Sequence, residues 1–115
     1  EFRRVLFRSV RALLDRGITV ALGTDSLASS NSLNFLDELR MADKLLPDVS
    51  RKEILTMATC GGAEALGLQC GTLASGQKAD LIGFRVPSAY SEPWWDVPFE
   101  PDRHEVDFYR VDGHH

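Results

Sequence analysis

The sequence predicts an α/β fold in which helices flank a strand that is buried on both faces. Residues 18–22 form a short, continuous apolar run with β-branched members, which is typical of a strand in a parallel sheet. Apolar residues recur at helical spacing before and after this run. Beyond residue 71 the pattern changes to glycine turns and short strands. A chain of 115 residues can bury one modest core.

Two helices are predicted around this strand. Val10 to Arg16 is typical of the end of an amphipathic helix that Gly17 stops. A second helix is expected to extend as far as Pro47. Its leucines, methionine and phenylalanine are expected to form core, at positions that include Leu33, Leu36, Leu39, Ala42 and Leu45 or Leu46.

The next segment predicts a further helix with a defined start. Ser50 is followed three residues later by Glu53, which is the spacing of a capping box. The helix is expected to reach about Thr59. The pair Gly61-Gly62 is then expected to interrupt it, before one or two more helical turns that end at Gly67.

The last third of the chain predicts turns and strands. Two glycine turns are expected around a short strand after Gly71, and Leu81 to Val86 is predicted to be a strand. Residues 87–101 hold most of the prolines and are expected to form a long, ordered excursion. Val106 to Val111 is predicted to be the first half of a hairpin.

Two adjacent tryptophans lie in the proline-rich excursion. Trp94 and Trp95 could stack on a base or cap a pocket, but the interpretation we favour is that they fasten this loop to the rest of the fold.

Charge and cysteine content narrow the function classes. The formal net charge is -4, with five arginines in residues 1–16 and seven acids in residues 90–115. An arginine-rich arm could bind phosphates or act as a transit peptide, but no basic or aromatic patch elsewhere supports it, so no nucleic-acid or membrane partner is expected. Residues 1–9 are instead interpreted as a non-native leader.

Cys60 and Cys70 lack metal-site spacing and are expected to be reduced thiols in a cytoplasmic protein.

One carboxylate stands where the apolar run stops. Asp25 follows the predicted strand, at the edge where α/β proteins place ligands and catalytic groups. An aspartate after a strand also commonly caps a turn or a helix. Spacing alone leaves these two roles open.

Two motifs in order resolve that choice by resemblance. "GTDSLASSNSLNFLDELRMA" and the later "GTLASGQKADLIGF" resemble the C-terminal end of the amidohydrolase superfamily, in the cytosine-deaminase-like branch. That branch includes chlorohydrolases, guanine deaminases and methylthioadenosine or S-adenosylhomocysteine deaminases. The resemblance covers most of residues 10–86 and the "VDFYRVDG" segment.

The resemblance implies a fold and a division of the chain. It implies the C-terminal end of a metal-dependent (β/α)8 TIM-type barrel, followed by strands of a small β-sandwich, in a truncated chain. Residues 10–70 would hold the last barrel strand and its flanking helices, and residues 71–115 would belong to the β-sandwich. Gly71, Gly76 and Asp80 would then be structural residues at turns and a strand start.

The resemblance also implies roles for site residues. Asp25 occupies the place of an aspartate that is both a ligand of the catalytic metal and a proton shuttle in the family. Ser29 falls where relatives place a polar substrate contact, although a solvated loop hydroxyl is an equally good interpretation. The metal is expected to be divalent, zinc first and iron as the other option, with its histidine ligands supplied from outside this chain. His104, His114 and His115 are not expected to be ligands.

The predicted function follows from these roles. The chain is expected to be part of a hydrolytic deaminase that acts on a purine, pyrimidine or related amidine ring through metal-activated water, and to be inactive on its own. The partner is a small-molecule substrate, and homo-oligomerisation of the parent protein is left open. Two alternatives remain: a non-catalytic barrel paralogue, and a small α/β signalling module in which Asp25 accepts a phosphoryl group.

Overall fold

Short helices packed around one apolar core are the main regular elements of the described residues, together with two short strands near the C-terminal end. The computed structural model describes residues 10–22, 34–103 and 105–111. The elements are a helix over residues 10–15 (α1), α2 (Phe35–Leu45), α3 (Arg51–Thr56), a π-helix (Met57–Gly61), α4 (Gly62–Leu66), β1 (Leu81–Gly83), a 3-10 helix (Trp94–Phe99) and β2 (Phe108–Arg110).

Helix α1 ends at Gly17, as predicted. Gly17 has a φ of 74°, a left-handed conformation that glycine adopts without steric cost. The Gly17 amide donates to the carbonyl of Leu14 at 3.0 Å, and the Ile18 amide donates to that of Leu13 at 3.0 Å. These bonds satisfy carbonyls at the helix end and turn the chain directly into residues 18–22.

Residues 18–22 are covered on one side, whereas the sequence predicted burial on both faces. Val20 and Leu22 are partly buried against the core, and the residues that alternate with them are exposed. Ile18 is 46% exposed. The predicted strand is not formed among the described residues: residues 18–22 lie against helices and join no sheet, whereas β1 and β2 pair with each other.

Helix α2 presents one buried stripe to the core. The side chain of Asn34 caps it by accepting from the Leu36 amide at 3.0 Å. Leu36, Leu39 and Ala42 are buried as predicted. Met41, which was expected to be core, is 47% exposed because it lies about 200° around the helix from Leu39. Leu33 lies outside the described residues.

Helix α3 begins with the predicted capping box. The Ser50 hydroxyl accepts from the Glu53 amide at 3.1 Å, and the Ser50 amide donates to Glu53 Oε1 at 3.0 Å. These two bonds satisfy backbone donors that the first helical turn leaves unpaired. The cap fixes the register that places Ile54, 0% exposed, at the centre of the core.

The Gly61-Gly62 pair does not interrupt the helix, contrary to the sequence prediction. Both residues have helical dihedrals, with φ and ψ of -63° and -44° for Gly61 and -63° and -45° for Gly62. The helical backbone continues through the π-helix to Gly67, where φ is 68°. Glycine lowers helix propensity by about 1 kcal/mol per residue, but tertiary packing overrides so small a preference.

The core joins residues that are distant in the sequence. Its buried members come from α2, the turn after it, α3, the π-helix and the 3-10 helix. They are Leu36, Leu39, Ala42, Leu46, Val49, Ile54, Met57 and Phe99.

The strands β1 and β2 pair with each other in antiparallel register, with Ile82 opposite Tyr109. Both are shorter than predicted, and β2 pairs with the preceding strand β1. The ladder ends after Gly83 because the Asp107 carboxylate, not a ladder carbonyl, accepts the Arg85 amide at 2.7 Å.

The expected strand between the two glycine turns is absent from the described residues 71–76. Gly71 and Gly76 have φ values of 93° and 91°, in agreement with the predicted turns. The Gln77 amide donates to the Ala74 carbonyl at 3.1 Å, so this stretch closes into a turn.

The proline-rich excursion is ordered, but its anchor differs from the predicted one. Val97 and Phe99 of the 3-10 helix are buried, whereas Trp94 is 68% exposed. Trp95 is partly buried, and the ammonium of Lys52 lies 4.7 Å from its ring centre. The loop is therefore fastened by Val97 and Phe99 more than by the tryptophans. No helix among the described residues is long and apolar enough to span a membrane.

Candidate functional site at the end of residues 18–22

The two predicted site residues follow residues 18–22 in the sequence. Asp25 and Ser29 fall outside the described residues. Leu22 and Asn34 are the described residues nearest to them in the sequence, one on each side. Both make contacts with helices, which we call the two anchors of the site.

The first anchor is a backbone contact between residues 18–22 and the π-helix. The Leu22 amide donates to the carbonyl oxygen of Met57 at 3.1 Å. Val20 and Leu22 also pack their side chains against the core that Met57 belongs to. The backbone of residues 18–22 is therefore fixed to the helix by both polar and apolar contacts.

The second part of this anchor is a close backbone approach. Gly61 is buried, and a Cβ placed on it would overlap the carbonyl oxygen of Val20. It would also lie 3.4 Å from the Val20 carbonyl carbon and 3.3 Å from the Thr56 oxygen. Only a residue without a side chain lets residues 18–22 lie this close to the helix.

The chain resumes at Asn34, which caps α2. Asp37 and Glu38 lie in the first turn of α2, where negative charge interacts favourably with the helix dipole. Arg40 pairs with Asp37 and also binds the C-terminal part of the chain, since its Nη1 donates to the Arg103 carbonyl at 2.6 Å and to the Glu100 carbonyl at 3.1 Å. The helix after the site is thus tied to residues 100–103.

The segment before the site is held by an ion pair between α1 and α3. Arg11 donates to Glu53 at 3.0 Å, to Asp15 at 2.9 Å and to the Asp48 carbonyl at 3.0 Å. The hydrogen bond from Arg11, followed by backbone donation from Ser50, lowers the pKa of Glu53 to about 2. Hydrogen bonds to Glu53 and then Asp15 raise the pKa of Arg11.

A third arginine fastens the 3-10 helix. Arg51 pairs with Asp43 and Asp96, each at 3.0 Å, and its guanidinium carbon lies 5.1 Å from the ring centre of Phe99. Hydrogen bonds to Asp43 and then Asp96 raise the pKa of Arg51. These contacts are structural, since the Arg51 guanidinium binds groups of the fold itself.

The described residues do not hold a metal by themselves. Within residues 10–22, 34–103 and 105–111, no three side chains of His, Cys, Asp or Glu come together as a metal site. Cys60 and Cys70 are free thiols, as predicted, and Cys60 Sγ donates to the Gly71 carbonyl at 3.2 Å. Asp80 is exposed and directly precedes β1. The three histidines lie outside the described residues.

Two open depressions occur elsewhere on the described surface. One, of about 400 Å³, lies beside Arg51, Tyr90 and Phe99, and the other, of about 440 Å³, lies among acidic residues of 100–107. Neither is bordered by residues 18–22 or by Asn34. They do not mark the predicted site.

Helices cover one side of residues 18–22, and the sequence then continues with Gly23, Thr24 and Asp25. The family model described as Amidohydrolase family matches residues 4–102, a range that includes Asp25 and Ser29. The chain belongs to the amidohydrolase family, whose fold is a TIM barrel.

Curated relatives refine this similarity. The chain is 39% identical over 97 residues to a 5'-deoxyadenosine deaminase of Methanosarcina mazei, which covers 77% of this chain and 22% of the relative. It is 45% identical over 95 residues to a 5-methylthioadenosine/S-adenosylhomocysteine deaminase of Haloquadratum walsbyi (76% of this chain, 21% of the relative). A protein of the same name from Desulforudis audaxviator is 37% identical over 116 residues (89% and 27%).

The chain therefore spans about a fifth to a quarter of the length of the curated relatives it matches. No solved structure matches it at a significant level. The signalling-module alternative finds no support in these similarities.

The sequence did not predict the roles of Met57 and Gly61, which hold residues 18–22 against the helix. Met57 was interpreted only as a helical residue, and Gly61 as a helix interruption. The sequence carries no signal for this contact, because a glycine pair in a helical pattern indicates only a lower helix propensity.

Proposed function

We propose that the whole protein is a metal-dependent hydrolytic deaminase of adenosine derivatives modified at the 5' position. The observation that carries this proposal is the similarity of three quarters of this chain to relatives named as deaminases of such nucleosides. Those names concern the relatives. The family match spans Gly23, Thr24 and Asp25, which supports extending the activity to the whole protein.

Asp25 is the residue to which we assign the chemistry. A carboxylate is a suitable ligand for a divalent metal and can also accept and return a proton. A divalent metal, when bound, lowers the pKa of a water molecule and so supplies hydroxide near neutral pH. Asp25 would take a proton from the attacking water molecule at a carboxylate oxygen and deliver it to the leaving amino nitrogen.

The contacts of residues 18–22 support this role for Asp25. Val20 and Leu22 pack against the helical core, whereas Thr19 and Ala21 are exposed. In TIM barrels, catalytic residues lie at the C-terminal ends of strands that the outer helices cover.

Ser29 is assigned a supporting role at the substrate. Its hydroxyl can donate and accept a hydrogen bond, as a sugar or ring nitrogen requires. It lies within the range that the family model matches. We place it in the same loop as Asp25 as a substrate contact.

Zinc is the metal we propose, with iron as the other option. Asp25 is the ligand that we assign within this chain, and the described residues hold no group of three or more His, Cys, Asp or Glu side chains that could bind a metal. A catalytic zinc needs about three protein ligands and an open position. We therefore assign the remaining ligands to parts of the whole protein beyond this chain.

The finer fold assignment follows from the same family. We propose that residues 18–22 are the last barrel strand and that residues 71–115 belong to a small β-sandwich. The helices packed on one side of residues 18–22 and the antiparallel pairing of β1 with β2 support this division.

Ammonium release by the whole protein tests the proposed function. The substrates are 5'-deoxyadenosine, 5'-methylthioadenosine and S-adenosylhomocysteine, with cytosine and guanine as comparison rings. We expect release from at least one adenosine derivative and much slower release from the other rings. No ammonium from any of the three, in protein that has bound zinc, would instead support the non-catalytic paralogue.

A further inference from the structure

The glycine pair in the middle of the helical segment has two members in different surroundings. A Cβ on Gly61 would overlap the carbonyl oxygen of Val20, whereas a Cβ on Gly62 would meet nothing closer than the Met57 oxygen at 3.8 Å. Their dihedrals are nearly identical and helical, so conformation does not require glycine at either position. Of the two positions, only Gly61 requires glycine, because the Val20 carbonyl oxygen lies too close to admit a Cβ.

This approach occurs within the π-helix. Met57 begins the π-helix and supplies the carbonyl that the Leu22 amide binds, and Gly61 ends it. The wider turn of a π-helix changes which carbonyls are free to bind outside partners, and such turns are frequent at functional sites. Residues 18–22 are thus held by one short helical stretch at two points, Val20 and Leu22.

The held segment leads directly to the proposed catalytic aspartate. Asp25 follows Leu22 by three residues, so its Cα cannot lie more than roughly 11 Å away. A shift of the Leu22 backbone is therefore passed along a very short chain. Misplacing a catalytic group by about 1 Å can lower a rate on the order of 100-fold.

We propose that Gly61 is a positioning residue for the deamination reaction: its lack of a side chain seats the backbone of residues 18–22 on the π-helix and so sets where Asp25 stands. This inference rests on the proposed function for its kinetic consequence. Its structural part, the seating of Val20 and Leu22, does not depend on any activity.

The test compares Gly61→Ala with Gly62→Ala in the whole protein. Both add one methyl group to adjacent positions of the same helix, and both gain similar helix propensity. We expect Gly61→Ala to lower kcat for the best adenosine substrate by about 10- to 100-fold with little change in KM, because placement and not binding is altered. Gly62→Ala should leave kcat, KM and zinc affinity unchanged.

Two readouts separate this inference from the proposed function. Hydrogen exchange of the peptide that contains residues 18–22 should become faster in Gly61→Ala only, since the Leu22 amide loses its bond to Met57. Zinc titration of metal-free protein against a competing chelator should show weaker binding in Gly61→Ala only. Both can be measured even in a protein that deaminates none of the tested nucleosides.

A second pair of variants applies where Gly61→Ala does not fold. Leu22→Ala removes the side chain that packs residues 18–22 against the core but keeps the glycine, and Leu46→Ala is the same truncation at a core residue just after α2. We expect both to lower the melting temperature, and only Leu22→Ala to lower kcat and zinc affinity. Equal kcat in the two variants, or equal exchange and zinc binding in the two glycine variants, would overturn the inference.

Discussion

The amide of Leu22 and the carbonyl of Met57, 35 positions apart in the sequence, are joined by a hydrogen bond of 3.1 Å. This bond ties the end of residues 18–22 to the π-helix, three residues before Asp25. Gly61 leaves room for the Val20 carbonyl beside the helix, and the side chains of Val20 and Leu22 pack against the core that contains Ile54. The backbone at Leu22 is therefore held by a hydrogen bond and by side-chain packing.

The ion pair between Arg11 and Glu53 predicts an acid-sensitive contribution to stability. The pKa of Glu53 in the folded protein is lowered from 4.5 to about 2, so the pair stabilises the fold above pH 4.5 and this stabilisation is lost as the pH falls toward 2. Glu53→Gln keeps a side chain that can complete the capping box but removes the charge.

Urea denaturation as a function of pH measures this effect. Glu53→Gln is expected to be less stable than the unsubstituted protein at pH 7, by a modest amount because the side chain is 38% exposed and solvent screens the pair. The difference should shrink below pH 4.5. A constant difference from pH 7 to pH 2 would show that the charge pair is not its source.

The 3-10 helix predicts an unequal role for its aromatic residues. Phe99 is buried in the core under Arg51, whereas Trp94 is mostly exposed at the edge of Trp95. Phe99→Ala should destabilise the protein by about 3–5 kcal/mol, and Trp94→Ala by about 0.5 kcal/mol or less.

Chemical denaturation of the two variants tests this difference, and limited proteolysis locates it. Phe99→Ala should speed cleavage within residues 87–101, where the unsubstituted loop is ordered. A larger loss in Trp94→Ala would restore the tryptophans as the anchor of this loop.

Gly71 and Gly76 have the same backbone conformation but different surroundings. Gly71 and Gly76 share a positive φ, near 90°. A Cβ on Gly71 would also lie 2.9 Å from the Thr59 oxygen and 3.1 Å from the Ala63 Cβ, whereas one on Gly76 would meet nothing within 4 Å.

Alanine at these positions should therefore have graded effects. Gly76→Ala should cost about 1–2 kcal/mol from the left-handed backbone alone. Gly71→Ala should cost clearly more, because the loop must also move off the helix that Thr59 belongs to. Thermal unfolding of both variants measures the difference, and equal losses would show that the contact with Thr59 contributes nothing.

The sequence predicted local features well because their causes are local. The Ser50 and Glu53 capping box, the helix end at Gly17 and the turns at Gly71 and Gly76 each depend on a few neighbouring residues. Their physical chemistry is complete within one or two turns of chain.

Features that depend on distant partners could not be predicted in the same way. Gly61 was expected to break a helix because its propensity is low, yet it is helical where Val20 packs against it. Trp94 was expected to anchor a loop because it is large, whereas Phe99 reaches the core. Neither contact has a signature within its own segment.

The candidate site shows the same division. Gly-Thr-Asp after an apolar run, together with the second motif, was sufficient to predict the family, which the family match confirms. The ligand role of Asp25 and the substrate role of Ser29 remain predictions, since both residues lie outside the described part of the chain.

The most direct measurement of the central claim compares Asp25→Asn with Asp80→Asn in the whole protein. Each change replaces one carboxylate by an amide of the same shape, and Asp80 is exposed beside β1. Asp25→Asn is expected to lower kcat on a 5'-modified adenosine by about 10²- to 10⁴-fold, as loss of a general acid-base group does, and to weaken zinc binding. Asp80→Asn should do neither. Undiminished turnover and zinc content in Asp25→Asn would contradict the account.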